Sequence, residues 1–160
     1  MLSKVKSFGL SGLEGFMVTV EVDVSASLPA CEIVGLPDAA VRESKERVRS
    51  AIKNSGFDYP VGRITVNLAP ADMKKEGSIY DLPIALGIIS ATGQLKGPMP
   101  DYIYLGELAL DGSIRGIHGL LPMVISASAQ GYDTFVVPSA NAPETSYISS
   151  VTAYGERRWI

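Results

Sequence analysis

Between Phe16 and Ala26 apolar and polar positions alternate one for one. Val18, Val20, Val22 and Val24 fall on one side, and Met17, Thr19, Glu21 and Asp23 on the other. Successive side chains of a strand point to opposite faces, so this pattern predicts a half-buried β-strand. Residues 30–34, Ala-Cys-Glu-Ile-Val, read as its neighbour across a short loop containing Pro29. Gly35-Leu36-Pro37-Asp38 is turn chemistry leading into a helix, with Asp38 as the N-cap. The period then becomes helical from Ala39 to about Asn54. Val41, Val48 and Ile52 share one face, and Gly56 marks the stop.

The second half follows the same logic. Arg63–Leu68 predicts a short strand ended by Ala69-Pro70, and a polar loop covers 71–78. Tyr80–Thr92 has little polar surface and reads as a buried helix. A strand is expected over Tyr102–Ala109, and Asp111-Gly112 signals a tight hairpin into Ser113-Ile114-Arg115. A helix over Leu120–Gln130 closes at Gly131, and a strand over Thr134–Val137 is stopped by Pro138. With no repeat and no linker, the order gives one mixed α/β domain over 1–155. Residues 156–160, Glu-Arg-Arg-Trp-Ile, read as a frayed tail that includes Trp159.

Composition narrows the function classes. The chain has 160 residues, 46% hydrophobic and 19% charged, which is enough to bury a core and leaves apolar surface for a partner domain or subunit. A net charge of −3 argues against holding nucleic acid by bulk positive field. Cys31 is the only cysteine, so no internal disulfide or cysteine cage forms, and it reads as a small buried apolar residue. The run Leu82–Leu95 is too short to span a bilayer, and the start Met-Leu-Ser-Lys-Val-Lys has no apolar signal region. The expectation is a cytoplasmic protein with no membrane partner.

Candidate chemistry is sparse. No G-x-x-x-x-G-K-[ST] phosphate loop occurs, and no G-x-G-x-x-G follows a strand. His118 is the only histidine and reads as structural, because a zinc site needs further ligands. Arg42, Lys45, Arg49 and Lys53 form a narrow basic stripe on the predicted helix, within reach of DNA phosphates or an acidic partner. The competing reading is a solvated face in which Glu43 pairs with Arg47, and Glu46 with Arg49 or Arg42. In the loop Lys74-Lys75-Glu76-Gly77-Ser78, Ser78 is either a helix N-cap or a nucleophile with a lysine base.

Several strings carry a family resemblance: Gly35-Leu36-Pro37-Asp38-Ala39-Ala40-Val41-Arg42-Glu43-Ser44-Lys45-Glu46-Arg47, Val66-Asn67-Leu68-Ala69-Pro70-Ala71-Asp72, Lys75-Glu76-Gly77-Ser78, Asp81-Leu82-Pro83-Ile84-Ala85 and Gly106-Glu107-Leu108. Up to about Tyr154 the chain resembles the N-terminal domain of magnesium-chelatase-like AAA+ proteins of the ComM/YifB group. The resemblance implies an α+β fold like ribosomal protein S5 domain 2, as in the Lon protease domain. It implies as partners an AAA+ module of the same protein, which carries ATP and Mg, a homo-oligomer that is hexameric in the parent protein, and DNA. The implied setting is competence and the processing of incoming DNA, where the motor acts in branch migration.

Gly106–Gly112 and Gly119-Leu120-Leu121 also resemble the Lon region that bears its Ser-Lys dyad. That comparison puts Ser78 near the nucleophile and Leu121 where the lysine belongs, and no lysine follows Lys96. Lys74 or Lys75 would substitute only if the loop buried an amine, and two adjacent like charges read as solvated. The implied role is a non-catalytic accessory domain with a degenerate protease position. The alternatives are a Lon-like serine peptidase using Ser78 and a structural self-association module.

Overall fold

The computed structural model describes residues 1–146, 148 and 151–159. Strands β1 (Leu2–Ser11) and β2 (Glu14–Ser25) form a long antiparallel hairpin in the register Val5↔Val20 and Phe8↔Met17. The alternation in β2 has its expected effect: Val18, Val20 and Val22 are wholly buried. No strand was expected over β1, because its inward positions include Ser7 and Gly9. Ser7 is buried all the same, its hydroxyl donating to the Tyr104 carbonyl at 2.8 Å.

Strand β3 (Ala30–Val34) leads through helices α1 (Ala39–Arg42) and α2 (Ser44–Asn54) to β4 (Arg63–Ala69). The expectation that β3 neighbours β2 is corrected. It pairs in parallel with β4, which itself lies antiparallel on the free edge of β2. A strand–helix–strand crossover returns the chain parallel to its start, and β1 and β4 occupy both edges of β2. The single helix expected over 39–54 is interrupted at Glu43, with Ser44 buried at the start of the second segment. Helix α2 ends as its glycine signals. Gly56, at φ +85°, donates to the Lys53 carbonyl while the Phe57 amide reaches Ile52, closing the last turn.

Helix α3 (Asp81–Ala91) is buried on all sides, as its lack of polar surface requires. The strand expected over 102–109 is split. Only β5 (Ile103–Tyr104) joins the sheet, and the chain leaves it at Gly106, whose amide and carbonyl bond to the Ile79 carbonyl and Leu82 amide, each at 3.0 Å. Strands β6 (Glu107–Leu108) and β7 (Ile114–Arg115) then form the small hairpin signalled by Asp111-Gly112. Helix α4 (Leu120–Ala129), β8 (Thr134–Pro138), a 3-10 turn over Ser139–Asn141, α5 (Ala142–Thr145) and β9 (Thr152–Glu156) complete the described chain.

The main sheet runs β3-β4-β2-β1-β5-β8-β9, antiparallel around β2 and parallel from β1 to β9. It is a mixed sheet with helices on both faces, an α+β fold. Helices α2 and α3 cover the valine face of β2, forming one core with Val48, Ile52, Ile84 and Ile88. A Cβ on Gly87 would stand 2.5 Å from Val22, so α3 sits directly on that strand. Helix α4 covers the opposite face, where Phe8, Leu120, Val124 and Phe135 form a second core.

The frayed tail is also corrected. Trp159 is 7% exposed, packs its ring 5.4 Å from that of Phe57, and donates to the Ser55 hydroxyl at 2.8 Å. Ile160 lies outside the described residues.

Candidate functional site

The motif strings converge on one region around the start of α1 and the loop before α3. Asp38 caps α1 as its position predicts, one carboxylate oxygen accepting from the Val41 amide at 2.8 Å. Its other oxygen accepts from the Gly77 amide at 3.1 Å, which ties the Lys75–Ser78 loop to the helix. Lys75 completes the tie. Its amide donates to the Leu36 carbonyl, and its own carbonyl accepts from the Asp38 amide. Leu36 has φ +59°, a left-handed conformation costly for a leucine, and these bonds hold it there.

Lys75 is wholly buried, against the expectation of a solvated pair with Lys74. Its amine donates to the carbonyls of Gly35, at 2.8 Å, and Pro70. Two carbonyls converging on one point give the ammonium what water otherwise supplies, which is why the loop folds inward. Burial pushes the amine below the usual lysine value, with Asp72 pulling the other way. The amine is committed to backbone carbonyls and not to Ser78.

Behind this loop lies a buried ion pair. Arg47 grips Asp81 with two donors, Nε at 2.6 Å and Nη2 at 3.1 Å. Ser44 donates to the same carboxylate at 2.5 Å and the Leu108 amide at 3.0 Å. The expected Glu43–Arg47 pairing is therefore corrected: a buried carboxylate without a partner is far costlier than an exposed one, so Asp81 takes the guanidinium. Burial pushes the Asp81 carboxyl up, opposed first by its bonds from Arg47 and Ser44. The residues sequence reasoning missed here are Ser44, Arg47 and Asp81. Their signal was an aspartate in the first turn of an otherwise apolar helix.

Ser78 lines a cleft of about 590 Å³ with Glu107, His118, Ile117 and Met123. It does not cap α3: the cap position is Tyr80, and no side chain bonds there. Its hydroxyl donates to Glu107, which lies 3.8 Å from Arg115. Among the described residues, the Ser78 hydroxyl is hydrogen-bonded to no lysine or histidine. Leu121 is not brought to Ser78. It lies on a shallow apolar patch with Leu13, Pro122 and Ile125, while Met123 is the α4 side chain that lines the cleft.

The basic stripe is only partly assembled. Arg42 stands beyond the helix break and donates to the Pro37 carbonyl at 2.7 Å. Lys45, Arg49 and Lys53 line a groove of about 490 Å³ between α2 and the loops flanking β3 and β4. The expected pairing of Glu46 with Arg49 or Arg42 does not form. Among the described residues no ion pair within 4.0 Å includes Lys45, Arg49 or Lys53. Arg49 instead lies over the Tyr59 ring, 5.7 Å from its centre. Cys31 and Tyr59 line the same groove, and burial pushes the Cys31 thiol up, away from the reactive thiolate.

The chain that builds the Asp38–Gly77 and Arg47–Asp81 ties is similar in sequence to known proteins. A family model described as subunit ChlI of Mg-chelatase matches residues 20–141. The competence protein ComM of Haemophilus influenzae is 42% identical over 154 residues, covering 96% of this chain and 30% of its own length. The uncharacterised protein YifB of Escherichia coli is 43% identical over 149 residues, covering 92% and 29%. An uncharacterised protein of Mycobacterium tuberculosis is 41% identical over 159 residues, covering 98% and 31%. The chain belongs to the magnesium-chelatase-like family, in its ComM/YifB group. It spans about three tenths of the length of these relatives.

Proposed function

We propose that this chain is a non-catalytic N-terminal domain of a magnesium-chelatase-like AAA+ ATPase, with an accessory role in assembling the motor or handling its DNA. The observation that carries this reading is the environment of Ser78. A serine nucleophile needs a base that takes its proton and a lysine or histidine normally supplies it. Here the hydroxyl faces Glu107, and the nearby buried lysine is occupied by the Gly35 and Pro70 carbonyls. ATP and Mg belong, in this reading, to the rest of the longer protein. The residues present do not fit them: there is no phosphate loop, and Lys75 is wholly buried with its amine turned onto the Gly35 and Pro70 carbonyls.

Two measurements test the proposal. Incubation of the chain with casein and with a serine-directed fluorophosphonate should give no cleavage and no label on Ser78. Labelling that Ser78→Ala abolishes would overturn the non-catalytic reading. In a full-length relative, deletion of this domain should change ring assembly or DNA-stimulated ATP hydrolysis while the motor still hydrolyses ATP. Unchanged assembly and unchanged stimulation would remove the accessory role.

A further inference from the structure

We infer that the groove between α2 and the β3 and β4 loops binds single-stranded nucleic acid, with its phosphates along Lys45, Arg49 and Lys53. Three features carry this. The three cations are four residues apart on one uninterrupted helix, so they stand about 6 Å apart in single file along its axis. That is a row suited to successive charges on one extended chain. Second, none is neutralised by an ion pair among the described residues, and the groove holds three cations against the one carboxylate of Glu46. A local positive wall on a chain of net charge −3 points to a ligand for that wall, not to bulk attraction.

Third, the facing wall is of another kind. Pro29, Tyr59, Pro60 and Val61 present carbon and an aromatic ring, and Val61 is 89% exposed. Single-stranded nucleic acid is held in this way, by cations tracking the backbone and apolar or aromatic groups covering bases and sugars. A duplex keeps its bases stacked inside and would leave the second wall unused. An acidic peptide would use the cations and have nothing for Pro60 and Val61. Tyr59 positions the middle of the row, its ring lying under Arg49 at 5.7 Å. Peptidase activity at Ser78 would leave the groove's ligand unchanged, so the two proposals fail separately.

The test is fluorescence anisotropy of a labelled thymidine oligonucleotide with the whole chain, at low and at moderate salt. The variant Lys45→Gln/Arg49→Gln/Lys53→Gln should bind about tenfold more weakly or worse, and its log K against log salt slope should fall by about 2, near 0.7 per lost phosphate contact. The control Lys74→Gln/Lys96→Gln/Arg157→Gln changes the net charge equally on exposed residues outside the groove and should bind like wild type. Val61→Ser, which removes the apolar contact without adding charge, should weaken the single strand and not a duplex of the same length. All variants sit on the surface, and circular dichroism confirms that they fold. Equal loss in the control, duplex bound as well as single strand, displacement by polyglutamate at equal charge, or no binding by wild type at low salt would each overturn the inference.

Discussion

Removing the Arg47 guanidinium leaves Asp81 as a buried carboxylate with only the Ser44 hydroxyl and the Leu108 amide for partners. Arg47→Ala should therefore destabilise the fold by about 3–5 kcal/mol, the range for breaking a buried pair from one side. Urea denaturation checks it, and Asp81→Leu on top of Arg47→Met should recover part of the loss. Lys75 gives a pH signature. Its folded pKa lies below the unfolded value near 10.4, so in that interval the unfolded chain binds more protons and the contribution to stability rises with pH. That contribution is complete above the unfolded value and lost as pH falls through the folded one. From neutral pH to pH 10 the stability of wild type minus that of Lys75→Met should rise with pH. A constant separation would contradict the buried amine. Asp38 was legible as a cap from its place before a helical period, whereas the bonds of Lys75 to Gly35 and of Arg47 to Asp81 were not, because those partners lie about forty and thirty-four positions away.

The elements were legible where one local rule decides. The valines of β2, the apolar run of α3 and the glycine ends of α2 and α4 each need only a few adjacent residues. Gly131 shows this: at φ +98° it donates to the Ser128 carbonyl, and the Tyr132 amide reaches Ala127. Gly131→Ala should cost about 1–2 kcal/mol, read as a lower urea midpoint, since an L side chain is strained there. Elements failed to show where tertiary partners override the local pattern. Strand β1 buries a serine on a backbone carbonyl, the helix is interrupted at Glu43 just before Ser44 meets Asp81, and β5 ends where Gly106 bonds the loop before α3.

At the scale of the whole molecule, the end of the described chain is part of the fold. Trp159 seals the α2 end of the first core, and Trp159→Ala should cost about 3 kcal/mol, within the range for a buried aromatic. Limited proteolysis and urea midpoints check this, and an unchanged midpoint would return residues 156–159 to a loose tail. The candidate basic face was half legible: helical spacing finds Lys45, Arg49 and Lys53, but only the fold shows that Arg42 faces elsewhere and that Val61 and Tyr59 form the opposite wall. The sequence by itself determined the α+β class, the valine strand, the buried helix, the caps and the family, since each rests on residues within a turn or a motif of one another. Tertiary structure alone decided the strand order, the pairing of Arg47 with Asp81, the burial of Lys75 and the partner of Ser78. Those depend on contacts between residues about thirty to a hundred positions apart, whose energies come from burial and charge compensation that no local pattern records.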